Sequence, residues 1–435
     1  MKNGRLCRTV IMTLLVMLPT LWAGCIGGPD SFPDGDIVVL KLTHDGLPEW
    51  TQIIDSGQDD GAEGLAELQD GGFAIAAQNA CARRSPSRPR FVRLSPNGAI
   101  LWDRLVTDSA DIARAVVPAP DGGTAVLTGN GTVVRFGPEG RTLWARTTGV
   151  TEAYTILQLA DGGYIVGGRT VYEIPTNDTF NAIAYPSVPP APGLGRQSPA
   201  QTPDTFASPA SLPSMFTRVT KAMVVRLTSN GAILWERQYD EDDLSWVQSL
   251  VASPDRTAFV LAGYGDPPNG SIGTPLLALR LDPDGTPISV AQLGTTPFSE
   301  LIWTRADTAG YRVLYQNQSA DPTSEAASAR GVVDALLDRD GCVIERRSLD
   351  ASIAVTWTMD GGYFSVGMPF GGGEPGYSTM TYDRTSVSTF HARKFDGTGA
   401  LLWDRELPTG LISRVKMVVS TSDGGYAVLA VKDIE

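Results

Sequence analysis

The chain holds few groups able to take a proton, attack a carbon or grip a metal, and they do not keep company. Its histidines, His44 and His391, stand far apart, and its four cysteines, Cys7, Cys25, Cys81 and Cys342, share no short spacing. A zinc site needs three or four converging ligands, so no metal is expected on these residues. With His44 in a predicted turn and His391 in a predicted strand, no serine triad can be assembled, and no cofactor is expected. Carboxylates gather at Asp59 and Asp60, at Asp108 and Asp111, and over Asp240, Glu241, Asp242 and Asp243. Converging carboxylates and carbonyls can hold Ca²⁺, which makes Asp59, Asp111 and Asp243 its candidates, against a default of solvated carboxylates capping turns. Asn-x-Ser/Thr triplets at Asn130, Asn177, Asn269 and Asn317 could accept glycans outside the cytoplasm.

Two alternating signatures must position all of these. The first is an apolar strand, then Asp-Gly-Gly or a relic of it, then another strand; its turn aspartates are Asp70, Asp121, Asp161, Asp255, Asp307, Asp360 and Asp423. The second is a strand carrying a basic residue, a turn glycine and, four residues on, a tryptophan; its glycines are Gly46, Gly98, Gly140, Gly231, Gly285, Gly341 and Gly399. Each has the chemistry of a tight hairpin, because Asp and Asn tolerate the left-handed conformation and Gly accepts positive φ. Two hairpins make four strands, and sheets of that size bury their faces by stacking on neighbours. The chain opens on a second-type hairpin and closes on a first-type one, so the ends complete one sheet. The expected fold is all-β, a seven-bladed β-propeller with a composite blade of 36–55 and 413–432, and further blades at about 62–107, 112–148, 153–240, 246–294, 299–348 and 351–407.

Trp50, Trp102, Trp144, Trp235 and Trp403 sit where inter-blade packing needs them, so their expected role is structural, as is that of Asp70, Asp121, Asp161, Asp360 and Asp423. The basic residues five before the glycines, among them Lys41, Arg93, Arg135, Arg226 and Lys394, are expected to pair with Asp103, Glu236 and Asp404 beside the tryptophans. Spare length falls between the second and third strands of each blade, so one rim is elaborated and the other plain. The longest insertion, 171–219, is rich in Pro, Ser and Thr and reads as an extended loop.

Lys2, Arg5 and Arg8 precede an apolar run from Val10 to Leu18, the pattern of a signal peptide over 1–24. Leu21-Trp22-Ala23-Gly24-Cys25 resembles a bacterial or archaeal lipobox, with Trp22 in place of the usual aliphatic residue. That resemblance implies lipid on Cys25, a tether over 25–35 and a propeller over 36–435, anchored extracytoplasmically at a cell surface or in a periplasm. Loss of the three basic residues takes the net charge from -13 to -16, which disfavours nucleic acid and leaves the lipid as the only membrane contact.

Asp161-Gly-Gly-Tyr-Ile-Val-Gly-Gly and Val-Val-Arg226-Leu-Thr-Ser-Asn-Gly231-Ala-Ile-Leu-Trp235 are similar to the propeller repeats of secreted prokaryotic lipoproteins. The Gly-x-x-x-Trp element also resembles quinoprotein-type repeats and propeller lipoproteins of outer-membrane protein assembly. Ser289 and Glu345 stand where the repeat would place Trp. The vicinal cysteines of some quinoproteins and the sialidase turn are absent from the sequence. The expected function is non-enzymatic: a protein- or glycan-binding scaffold using the elaborated rim. The alternatives are a polysaccharide hydrolase or lyase at the channel mouth and an assembly factor for membrane-protein clients.

Overall fold

Short apolar strands punctuated by Asp, Asn and Gly reverse and pair with their sequence neighbours, and they do so throughout the computed structural model. It describes residues 35–80, 87–106, 111–175, 216–239, 244–253, 259–265, 276–294, 300–307, 310–317, 331–339, 342–349, 354–367, 389–408 and 410–433. Their 28 strands, with no helix among them, form seven antiparallel sheets of four. Blade 1 holds β3 (Asp59–Glu67), β4 (Phe73–Ala80), β5 (Arg88–Leu94) and β6 (Ile100–Leu105). Blades 2 to 6 begin with β7 (Ala113–Pro118), β11 (Glu152–Gln158), β15 (Leu244–Ala252), β19 (Glu300–Asp307) and β23 (Ala354–Trp357). The closing blade runs β27 (Arg414–Ser420), β28 (Tyr426–Asp433), β1 (Gly35–Leu42), β2 (Pro48–Ile54).

Each first strand touches that of the next blade, through β27 and back to β3, so the chain is a closed seven-bladed β-propeller. Closure is made by the chain ends: β1 pairs with β28 from Gly35↔Asp433 to Leu42↔Tyr426, which leaves neither end an open edge within the sheet. All eight residues of β1 are buried. Its side chains alternate between two cores, Val38 and Leu40 packing with Phe364 of blade 6, and Ile37 and Val39 packing with Phe73 of blade 1.

The tryptophans close the junctions between blades. The rings of Trp50, Trp102, Trp144, Trp235 and Trp403 lie on the turn glycines Gly98, Gly140, Gly231, Gly285 and Gly46 of the next blade, where an added Cβ would sit 2.5–2.9 Å from the indole. Four indole N–H groups donate to a carbonyl of that same turn, on Pro96, Pro138, Ser229 and Pro283, at 2.8–3.2 Å. Two residues on, Arg104, Arg146 and Arg237 donate through Nε to the carbonyls of Gly140, Gly231 and Asp284, a second stitch that the Trp-x-Arg spacing carries in plain sight.

The basic series takes a different partner from the one expected. Lys41, Arg93, Arg226 and Lys394 meet the turn aspartates Asp423, Asp70, Asp161 and Asp360 of their own blades at 2.6–2.9 Å, and Arg135 meets Asp121. The reason is the two-residue period of a strand. Arg93 pairs across the sheet with Trp102, which puts Asp103 on the opposite face with Val92. There Asp103 accepts from Arg90, Asp404 from Arg393, and Glu236 from the Gly149 amide.

The stitched turn carboxyls are strongly acidic. Burial pushes Asp360 and Asp423 up, but hydrogen bonds from Thr358 and Lys394, and from Lys41 and Thr421, outweigh it and hold both at about 2. A carboxyl depressed on folding contributes stability above its unfolded value, near 3.8, and loses that contribution as pH falls through its folded one. The thermal midpoint should therefore drop as pH falls from about 4 towards 2, and Asp360→Asn with Asp423→Asn should flatten that slope. An unchanged slope in the double variant would refute the assignment.

The longest insertion departs from a plain loop at its two ends. β12 (Tyr164–Pro175) and β13 (Phe216–Leu227) pair from Tyr164↔Leu227 to Pro175↔Phe216, so 171–175 and 216–219 extend the sheet; 176–215 lie outside the described residues.

Candidate functional site

The first strands line the axis, and they are irregular at a recurring place. In β3, Ala62 pairs with Ala77 and Gly64 with Ala76, leaving Glu63 as an extra residue. The same bulge leaves out Arg114 in β7, Tyr154 in β11, Gln248 in β15 and Lys416 in β27. All five stand seven residues before a turn aspartate: Asp70, Asp121, Asp161, Asp255 and Asp423. In β19, without the Asp-Gly-Gly spacing, the extra residue is Ile302. A bulge re-aims the side chain it carries, and repeating it around an axis builds a ring from residues distant in sequence.

Members of this ring touch. Lys416 Nζ lies 3.7 Å from Glu63 Oε1, joining the closing blade to blade 1. The Arg114 guanidinium lies over the Tyr154 ring, 5.5 Å from its centre, joining blades 2 and 3. Tyr154 is fixed in turn by its hydroxyl, which donates to Glu152 at 3.1 Å, while Arg169 Nε reaches the same carboxylate at 2.8 Å and stacks on Trp246 of blade 4. Burial pushes the Tyr154 phenol up, with Arg169 opposing and Glu152 reinforcing the shift. The bulges fall at or before the middle of their strands, towards the rim where the second-to-third-strand segments open.

Beside the ring lies a buried charge network. Arg90 donates to Asp60 at 2.9 Å and to Asp103 at 2.7 Å, while Asp60 accepts from the Ser56 amide and hydroxyl at 2.8 Å each. Burial pushes the Asp60 carboxyl up, more than its donors Ser56 and Arg90 hold it down. Between blades 5 and 6, where Glu345 replaces a tryptophan, Asp334 is fully buried and accepts from Arg312 at 2.8 Å and Tyr363 at 2.7 Å. Burial and then the Asp334 bond push the Tyr363 phenol up to about 12. An open cleft of about 390 Å³ on the turn rim, lined by Leu159, Asp161, Arg226, Phe259 and Pro283, stands apart from the ring.

Of the calcium candidates, Asp111 accepts from the Asn130 amide at 2.8 Å, which is a turn-capping role. Asp59 begins β3, and Asp243 lies outside the described residues. Among the described residues no three His, Cys, Asp or Glu side chains gather in a way that could hold a metal ion. Asn130 is exposed between β8 (Thr124–Thr128) and β9 (Thr132–Phe136), on the loop rim. Asn317 ends the second strand of blade 5 opposite Gly331, and Asn177 and Asn269 lie outside the described residues, as do Cys25 and Cys81. Cys342 is exposed. His44 meets Asp45 at 3.2 Å on the surface, and His391 Nδ1 meets Asp404 at 2.6 Å; among the described residues the buried Ser365 hydroxyl has no hydrogen bond.

No protein-family model and no curated protein matches the chain. Among solved structures it is similar to BamB from Moraxella catarrhalis, at 12% identity over 90% of this chain and 91% of that one, TM-score 0.39. It is also similar to a streptogramin B lyase, at 9% identity over 91% and 98%, TM-score 0.47. A third likeness is to Saccharomyces cerevisiae Sqt1, at 10% identity over 86% and 79%, TM-score 0.43. Such distant likenesses bear on neither ligand nor activity.

Proposed function

We propose that the chain is a non-enzymatic, lipid-anchored scaffold of the cell envelope that holds a protein or glycan partner on its loop rim. One observation supports this most: the strand order opens every second-to-third-strand segment, and the entry of the chain at Gly35, on the same rim. Lipid on Cys25, ten residues before Gly35, would hold that rim within about 35 Å of a membrane, since extended chain spans at most ~3.5 Å per residue. A partner held there would be shared between propeller and envelope. The test is photo-crosslinking in native envelopes from single sites on the two rims, next to Asn130 and next to Asn97. A partner captured from the Asn130 side, on protein that detergent but not salt releases, is the expected result; capture only from the Asn97 side, or release by salt, would overturn the reading.

A second reading, an assembly factor for membrane-protein clients, draws on the outermost strands. Leu101, Leu143, Leu234, Ile344 and Leu402 recur one residue before the tryptophan position and are 44–57% exposed, forming an interrupted apolar belt. Replacing Leu101, Leu234 and Leu402 with Gln should abolish client capture under this reading and leave the loop-rim partner bound under the first.

A further inference from the structure

Many basic residues of the blades are matched with an anion, and others, such as Arg104, Arg146 and Arg237, with a backbone carbonyl of the next blade. Lys41, Arg90, Arg93, Arg226 and Lys394 each have a carboxylate within 2.9 Å, and Arg393 has one at 3.0 Å. In the axial ring Lys416 has Glu63. Arg114 is different. It has no hydrogen bond and no ion pair among the described residues, its Nε is buried without a partner, and its guanidinium lies over the face of Tyr154. Withdrawing Nε from solvent without a hydrogen-bond acceptor is costly, and the Tyr154 face offsets only part of that cost. It is nevertheless held in place, by the bulge that aims it and by Tyr154, itself tied to Glu152.

We propose that Arg114 is the anchor of a ligand site in the axial channel, which receives one oxyanion group, a carboxylate or a phosphate, of a small molecule or chain end. The planar fork of a guanidinium offers paired N–H donors that match the oxygens of either group. Tyr154 occupies one face of that fork and leaves its edge for the ligand. Glu63, the bulged residue of blade 1, is already paired with Lys416 and does not neutralise Arg114. The site stands on the axial geometry alone, and it survives or falls independently of the lipid anchor and the rim partner.

The test is calorimetric titration of the purified full chain, at constant ionic strength, with sodium glucuronate, with inorganic phosphate and with glucose as the uncharged control. Glucuronate or phosphate should bind at least tenfold more tightly than to Arg114→Gln, while glucose binds neither protein measurably. Binding of glucuronate alone assigns a carboxylate ligand, and binding of phosphate alone a phosphorylated one. Equal affinity in the two proteins, or no binding to the unaltered chain, overturns the proposal. Should Arg114→Gln fail to fold, phenylglyoxal labelling of the unaltered chain, read at Arg114 by peptide mass spectrometry, decides: protection by either anion supports the site, and an unchanged rate removes it.

Discussion

Gly98→Ala should destabilise the propeller by about 3 kcal/mol, several times the ~1 kcal/mol expected of Gly424→Ala, although both glycines sit in tight turns at nearly the same φ, 84° and 85°. The backbone term is common to both: an L residue in the left-handed region costs roughly 1–2 kcal/mol. What separates them is space. A Cβ on Gly98 would lie 2.7 Å from the Trp50 ring, whereas one on Gly424 would meet nothing within 4 Å. Trp50 has little freedom to retreat, since its N–H is held by Pro96 and its ring packs edge-on against Phe73 at 5.7 Å. Relief must come from parting the closing blade from blade 1, and overpacking of this kind costs about 1–3 kcal/mol beyond the backbone. Thermal or urea midpoints of the two variants give the comparison directly. Equal losses would mean that the tryptophan contacts do not hold the junctions.

That contrast marks how far the sequence could be read. The turns were legible because they are local: a positive-φ glycine after Asp or Asn declares itself within four residues, and the order of the two turn types was enough to predict closure between the hairpins at Gly46 and Asp423. The tryptophans were legible as packing residues because their spacing from the glycine never varies. Their targets were not, since four indoles reach a turn 36 to 85 residues away in the next blade, and Trp403 reaches back across the closure to Gly46. The choice of Asp103, Glu236 and Asp404 as partners of the basic series failed because neighbours in sequence lie on opposite faces of a strand. The axial ring was hidden in another way. Glu63, Arg114, Tyr154, Gln248 and Lys416 share no chemistry, only a distance of seven residues from a turn aspartate, so no motif search on residue type would align them. Their variety is also what distinguishes them from the scaffold, which repeats its residues from blade to blade.

Arg90 offers the second large effect, because it bridges a fully buried carboxylate, Asp60, to a partly exposed one, Asp103. Arg90→Met should cost about 3–5 kcal/mol at neutral pH, the range for leaving one member of a buried pair without its counter-charge. Asp103 can turn to water, being about a third exposed, but Asp60 cannot, and Ser56 supplies only neutral donors. The loss must then depend on pH, with a definite sign. Asp60 already has a folded value above the ordinary one, and removing Arg90 raises it further. A carboxyl raised on folding is protonated in both states below its unfolded value and pays for ionisation only above it. The variant should therefore lie closest to the parent near pH 4 and fall progressively behind as pH rises towards 7. Asp60→Asn combined with Arg90→Met removes the stranded charge while keeping an amide for Ser56, and should recover much of the loss with little dependence on pH. Chemical unfolding of the parent, the single variant and the double variant at pH 4 and 7 is sufficient. A single variant equally damaged at both values, or a double variant no better than the single, would show that Arg90 acts through packing of its stem rather than by neutralising Asp60.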